Sequence, residues 1–207
     1  CGGTITYSGD RGDLIVGARG GQGVFTVVGP NSVIAMNRLY IGDGAGASGT
    51  VEFQLTGDGV SPIVLAGSAA IDALGAETTA ALVIGSAGGA PKADVLLIDL
   101  PNGVIAQTGF DTVNGEPAVE GAKVVVRNRV TTYNYTLTYA GGEAANDIVL
   151  LYDSFVPAPT VVYVTDSPDV DANGVLDDQG WIDWLKTEGY QVDARRGYWI
   201  EPLDVNR

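Results

Sequence analysis

Glycine-punctuated apolar tetrapeptides recur along the first part of the chain, the first two 25 residues apart, and this internal repeat limits the fold more than any other feature. Leu14-Ile15-Val16-Gly17 opens a segment with glycines at 20, 21 and 23, followed by Val24-Phe25-Thr26-Val27-Val28-Gly29. Leu39-Tyr40-Ile41-Gly42 then leads to Gly44, Gly46 and Gly49, and to Thr50-Val51-Glu52-Phe53-Gln54-Leu55-Thr56-Gly57; one inserted residue aligns the two copies. A third, more degenerate copy starts at Leu82-Val83-Ile84-Gly85, with Gly88 and Gly89 in the matching places. No unit of this kind buries its apolar face alone, so the units must stack.

The physical expectation is a mainly β chain wound as a right-handed parallel β-helix or related β-solenoid. Inward Leu, Ile and Val side chains stack from coil to coil, and Gly permits the positive-φ corners. Gly disfavours helix by about 1 kcal/mol per residue, and Val51, Phe53 and Leu55 recur at strand spacing. An antiparallel β-sandwich is the competing architecture. The Ala-rich stretch 71–81 allows a short helix instead. About 150 residues at ~25 per coil predict roughly six coils over ~30 Å. Val124, Val126, Asn128 and Val130, then Tyr133, Tyr135, Leu137 and Tyr139, alternate as an antiparallel pair that closes the solenoid.

Composition shifts near Pro157-Ala158-Pro159. Residues 1–155 hold 26 of the 30 glycines and no tryptophan, whereas Trp181, Trp184 and Trp199 all follow. The expected organisation is a Gly-rich solenoid over 1–155, a Pro-containing linker over 156–160, and an incomplete βαβ segment over 161–207. In that segment Val161 to Val164 and Tyr190 to Ala194 read as strands and Gln179 to Glu188 as a helix. Trp181, Ile182, Trp184 and Leu185 share one helical face, Asp177 or Asp178 caps the start, and Gly189 follows the end.

Charge and residue inventory exclude several functions. With 11 basic and 25 acidic side chains the chain carries a formal −14, so nucleic acid is not an expected partner. Histidine is absent, which removes Ser-His-Asp and Cys-His sites and His-ligated metals. Cys1 is the single cysteine, so no intrachain disulfide forms. No apolar run approaches the ~20 residues of a membrane span. Cys1-Gly2-Gly3 fits the lipid-bearing first residue of a processed bacterial lipoprotein, with a fragment edge as the alternative. Arg11-Gly12-Asp13 reads as a turn before Leu14, and Asn134-Tyr135-Thr136, a formal glycosylation triplet, sits inside a strand pattern.

The segment from Leu39 to Val51 resembles the β-helical repeat of autotransporter-like and PEP-CTERM-type bacterial surface proteins. Tyr135-Thr136-Leu137-Thr138-Tyr139-Ala140-Gly141-Gly142, with Asn146-Asp147-Ile148-Val149-Leu150, resembles the segment that closes such domains. The resemblance covers residues ~10–152. It implies a secreted or cell-surface bacterial scaffold and carries no catalytic residues over. Residues 161–207 resemble the opening of a glutamine-amidotransferase-like or flavodoxin-like domain.

One loop has a clear chemical reading. Asp169, Asp171 and Asn173 alternate before Gly174 in the D-x-D-x-N-G pattern of calcium loops, with the Val175 carbonyl and Asp177 as further oxygen ligands. Gly180 stands where such loops place a bidentate acid, and Asp183 is the nearest substitute. The competing reading is an acidic turn that caps a helix. Five aspartates at this turn repel phosphate, which disfavours a nucleotide.

Two functions follow from these readings. One is a non-enzymatic, extracellular structural or adhesive module that assembles as a homo-oligomer or filament, or binds a neutral surface glycan. The other is a carbohydrate-active β-helix using carboxylates and calcium. Against the second stands a base supply of Lys92, Lys123, Lys186 and eight arginines, and a net charge that repels anionic polysaccharides.

Overall fold

The computed structural model describes residues 4–6, 12–67, 69–71, 78–100, 109–165 and 179–196. The chain is mainly β and forms a β-solenoid of about five turns. Two compact units divide it: Cys1–Asn128 with Thr132–Phe155, and Arg129–Thr131 with Val156–Arg207.

Each of the first three coils of the first unit visits three sheets in turn. The first coil contributes β1 (Thr4–Thr6), β2 (Asp13–Ala18) and β3 (Gln22–Val28). The second contributes β4 (Val33–Met36), β5 (Arg38–Asp43) and β6 (Ser48–Leu55). The third contributes β7 (Ile63–Leu65), β8 (Ala69–Ile71) and β9 (Thr79–Ser86). In the fourth, β10 (Val95–Asp99) joins the first sheet, and β11 (Thr112–Val113) with β12 (Glu116–Pro117) joins the third.

Parallel register turns sequence periodicity into columns of side chains. Leu14 lies beside Leu39 and Val16 beside Ile41, so the two recognised tetrapeptides stack directly. Phe25, Val51, Leu82 and Val113 form one inward column and Val27, Phe53 and Ile84 the next. Ile34, Ile63 and Ile98 form another from the first sheet. Leu39, Ile41, Val51, Phe53, Ile63 and Leu82 have no solvent exposure. Burial of each such side chain contributes about 1.5–3 kcal/mol, so the columns are the main source of stability.

The third copy of the tetrapeptide is placed differently from the sequence alignment. Leu82-Val83-Ile84 pairs with Val51-Glu52-Phe53 in β6, and β8 takes the place beside β5. Two inward residues ahead of a glycine occur on more than one sheet, and the motif does not say which. The residues between stacked partners also lengthen: 25 from Leu14 to Leu39, 31 from Ser48 to Thr79, and 35 from Ile63 to Ile98. Longer coils and a non-coiled closing segment account for about five turns in place of six. Of the Ala-rich stretch, Ile71 ends β8 and Thr79 begins β9, so its described ends are strand rather than helix; 72–77 lie outside the described residues.

The inserted residue that aligned the first two repeats sits in a corner, where three residues join β2 to β3 and four join β5 to β6. Gly17 and Gly42 occupy equivalent positions there, with φ of 73° and 68°. At Gly49 a Cβ would collide with the Val16 carbonyl oxygen of the preceding coil and with the Ile41 side chain of its own. Asp13 of the Arg-Gly-Asp tripeptide opens β2, and the Gly12 carbonyl accepts the N–H of Asn37 at 2.8 Å.

The closing segment is antiparallel, as its alternation indicates. Strand β13 (Lys123–Asn128) and β14 (Thr131–Gly141) are neighbours joined by a two-residue turn, and β15 (Asp147–Val156) lies between β14 and β10. Strand β15 pairs antiparallel with β10 around an irregularity between Leu96 and Ile98. Val124, Val126, Tyr135 and Leu137 face inward and join the core, and β13 packs against β9.

In the second unit β16 (Thr160–Thr165) and β17 (Gln191–Arg196) pair in parallel, with α1 (Gln179–Thr187) between them in the chain. Helix α1 ends on Gly189 at φ 92°; its N–H reaches the Lys186 carbonyl, and the Tyr190 N–H reaches that of Leu185. These are the two bonds of a Schellman cap.

Gly49→Ala is expected to cost about 1–3 kcal/mol by overpacking the corner. Gly57→Ala, where nothing lies within 4 Å of a new Cβ, is expected to change stability by less than about 0.5 kcal/mol. Urea midpoints of the two variants against the parent check this, and equal midpoints would remove the close approach at Gly49 as a constraint.

Candidate functional site

Polar side chains gather at the closed end of the solenoid, and most of them serve the backbone. The Asp111 carboxylate accepts the Ala80 N–H at 2.7 Å. The Asn114 side chain accepts the Ile84 N–H at 2.7 Å and donates to the Ile84 carbonyl at 3.1 Å, so it continues the ladder of β9 as a strand residue would. It is held there by a turn in which Asn114 and Gly115 both take positive φ, 51° and 85°, as a type I′ hairpin requires. Asp147 accepts from the Leu100 N–H and Asp94 from the Tyr152 N–H, both at 2.8 Å. Glu120 accepts from the Tyr139 N–H at 2.7 Å.

Two tyrosines complete this end. The Tyr139 hydroxyl accepts the Phe110 N–H at 3.0 Å and donates to the Ala118 carbonyl at 2.9 Å. Burial pushes its pKa up, against the opposing pull of the Phe110 hydrogen bond. Tyr135 donates to the Pro91 carbonyl, and burial raises its pKa strongly. Both phenols stay protonated at neutral pH as structural donors.

A second group lies on the outer face of the closing strands. Lys123 on β13, Thr136 on β14 and Asp153 on β15 form a row in which the Thr136 hydroxyl accepts from Lys123 at 2.6 Å and donates to Asp153 at 2.8 Å. Lys123 also meets Asp153 directly at 3.1 Å. The Thr136 hydrogen bond, followed by the hydrogen bond and charge of Lys123, lowers the Asp153 pKa. The Lys123 side chain is 71% exposed, so this pair belongs to the screened surface class, worth about 0–1 kcal/mol. Asn134, of the glycosylation triplet, donates to Ser154 at 3.0 Å within the same face.

The lysines weighed as catalytic bases are widely separated in role. Lys123 sits in the row just described, Lys92 lies 3.6 Å from the centroid of the Phe155 ring, and Lys186 occupies the last turn of α1. Among the described residues no three Cys, Asp or Glu side chains come close enough together to hold a metal ion. Asp169, Asp171, Asn173, Val175 and Asp177 lie outside the described residues. Asp183, the substitute for the missing acid, accepts a hydrogen bond at 2.6 Å from Gln179 one turn earlier in α1.

Helix α1 differs from its sequence reading in one respect. Ile182 and Leu185 are buried, but Trp181 and Trp184 are 52% and 48% exposed and stack on each other at 4.7 Å with ring planes 17° apart. At three residues' separation the two indoles meet on the helix surface, and pairing with each other replaces burial in a core. The W-x-x-W spacing itself carried that signal, which apolarity alone obscured.

No known protein family, curated protein or solved structure matches the chain. Among the described residues no helix is long and apolar enough to cross a membrane.

Because the fold lowers the Asp153 pKa, it favours the ionised carboxylate. The associated stabilisation is present above the unfolded value of about 3.9 and is lost as pH falls through the folded value. Thr136→Val is expected to raise the Asp153 pKa toward that unfolded value, as read by carboxyl-carbon NMR titration, while changing stability at pH 7 by less than about 1 kcal/mol. An unmoved pKa would assign the shift to Lys123 instead.

Proposed function

We propose that this chain is a non-enzymatic structural or adhesive module of a bacterial cell exterior, built to display surface and to assemble with copies of itself as a homo-oligomer or filament. One observation carries this reading: Asp94, Asp111, Asn114, Glu120 and Asp147 each give a side-chain oxygen to a backbone N–H group at the end of the solenoid. Side chains used in this way hold an architecture together. Export and placement at the cell surface belong to the same proposal and rest on the repeat's resemblance.

A carbohydrate-active or carbohydrate-binding role is favoured by a different feature, the exposed Trp181 and Trp184 stack. Aromatic faces of this kind pack on apolar faces of neutral sugars. Incubation with neutral and uronic-acid polysaccharides separates the two readings. The scaffold reading expects no new reducing or unsaturated ends. Release of such ends that disappears on replacing one aspartate would overturn it, and quenching of tryptophan fluorescence by a neutral glycan, lost in Trp184→Ala, would establish binding without catalysis.

Calcium at Asp169, Asp171, Asn173, Val175 and Asp177 is part of the proposal on the strength of its sequence spacing. Chelation is expected to raise protease cleavage near Asn173, and Asp169→Ala with Asp171→Ala to abolish the difference. A hundredfold excess of calcium over its dissociation constant corresponds to about 2.7 kcal/mol of stabilisation. Identical cleavage with and without chelator, together with no heat of calcium binding, would leave the loop as a helix cap.

A further inference from the structure

Among the described residues the third sheet begins at β3 and ends at β12, and these two edges are built in opposite ways. Strand β12 is two residues, Glu116-Pro117, both exposed. A short edge bearing a charge and a proline, which lacks an N–H, resists further pairing. The outer strand of the closing segment, β13, is guarded by Lys123 and Arg127. Strand β3 is the longest of the first coil, seven residues of Gln-Gly-Val-Phe-Thr-Val-Val, with no charge and no proline. Its register with β6 is unbroken from Gln22 to Val28. Val24 and Val28 are 69% and 54% exposed. This is the composition of a strand that pairs with another.

The direction of its free backbone groups follows from two hydrogen bonds. The Gly21 carbonyl accepts from Ser48, and the Gly29 N–H donates to Gln54. Odd-numbered residues therefore turn toward β6, and by strand alternation Gln22, Val24, Thr26 and Val28 turn their N–H and C=O groups away from the sheet. A two-fold axis through Phe25 satisfies this edge with itself. Val24 of one copy exchanges both bonds with Thr26 of the other, Gln22 faces Val28, and Phe25 meets its own counterpart across a non-hydrogen-bonded pair. Parity is preserved, so outward Val24, Thr26 and Val28 remain outward. Phe25, half-buried at the end of its column, gains an aromatic partner on the inward side.

Resting on the self-assembly reading above, we infer that two copies join head to head through β3, making one continuous antiparallel junction and a closed dimer. Neither β12 nor β13 offers β3 a head-to-tail partner, and a two-fold junction uses up the β3 edge of both copies, so pairing through β3 stops at two.

Light scattering and sedimentation of the full chain over about 1–100 μM test this. The expected species is a dimer. In it, hydrogen exchange at the amides of Val24 and Thr26 slows with concentration, while the amides of Gly23, Phe25 and Val27, already bonded to β6, change little. Val24→Pro removes an N–H that β6 does not use, and Val24→Lys with Val28→Lys adds like charge without altering the backbone; each is expected to weaken the dimer at least about tenfold. A monomer throughout overturns both this inference and self-assembly. Polymers that grow with concentration, or a dimer indifferent to both variants and without protection at Val24 and Thr26, overturn the β3 junction and leave self-assembly standing by another surface.

Discussion

A parallel coil has no partner for its own backbone. Each interior strand of the solenoid sends its N–H and C=O groups sideways to the coils before and after it, and the inward columns exist because that lateral pairing fixes neighbouring side chains in line. Phe25, Val51, Leu82 and Val113 stack because β3, β6, β9 and β11 are bonded in register, and not because four apolar residues sought one another. Corner glycines are subordinate to the same requirement. At Gly17, and at Gly49 near the start of β6, two coils come together at a distance that a β-carbon would prevent.

Lateral pairing has to end, and the way it ends decides much of the chemistry that the surface retains. At the closed end, Asn114 imitates one more strand residue for Ile84, while Asp111 and Asp147 answer isolated N–H groups. The antiparallel strands β13 to β15 then cover the core with Tyr135 and Leu137. An acidic chain thus uses part of its carboxylate inventory as hydrogen-bond acceptors for its own backbone. The Lys123, Thr136 and Asp153 row is the counterpart on the outer face, a polar surface device in which each group is already engaged by another.

The solenoid was legible because period and parity are both properties of sequence. The copies at Leu14 and Leu39 stack as their spacing indicates, and the alternation after Gly121 marks the closing hairpin. What a tetrapeptide cannot encode is the sheet to which it belongs, and for that reason Leu82-Val83-Ile84 lies beside β6 and not in the place taken by β8. The polar end was invisible for a related reason: Asn114 and Asp111 act across about 30 residues on positions that no local pattern links. In α1 the buried pair is Ile182 and Leu185, and the tryptophans answer to each other. Apolarity ranks side chains for burial but does not register a pair that shields itself.

The corner between the second and third sheets holds three residues in one coil and four in the next, yet Gln22 still lies beside Ser48 and every inward side chain stays inward. Inside a strand the same single-residue difference would have exchanged core for solvent along its length. The corners therefore act as expansion joints. Change in chain length is tolerated there without reaching the core, and a lineage of such proteins is free to diverge in outline while keeping its columns intact.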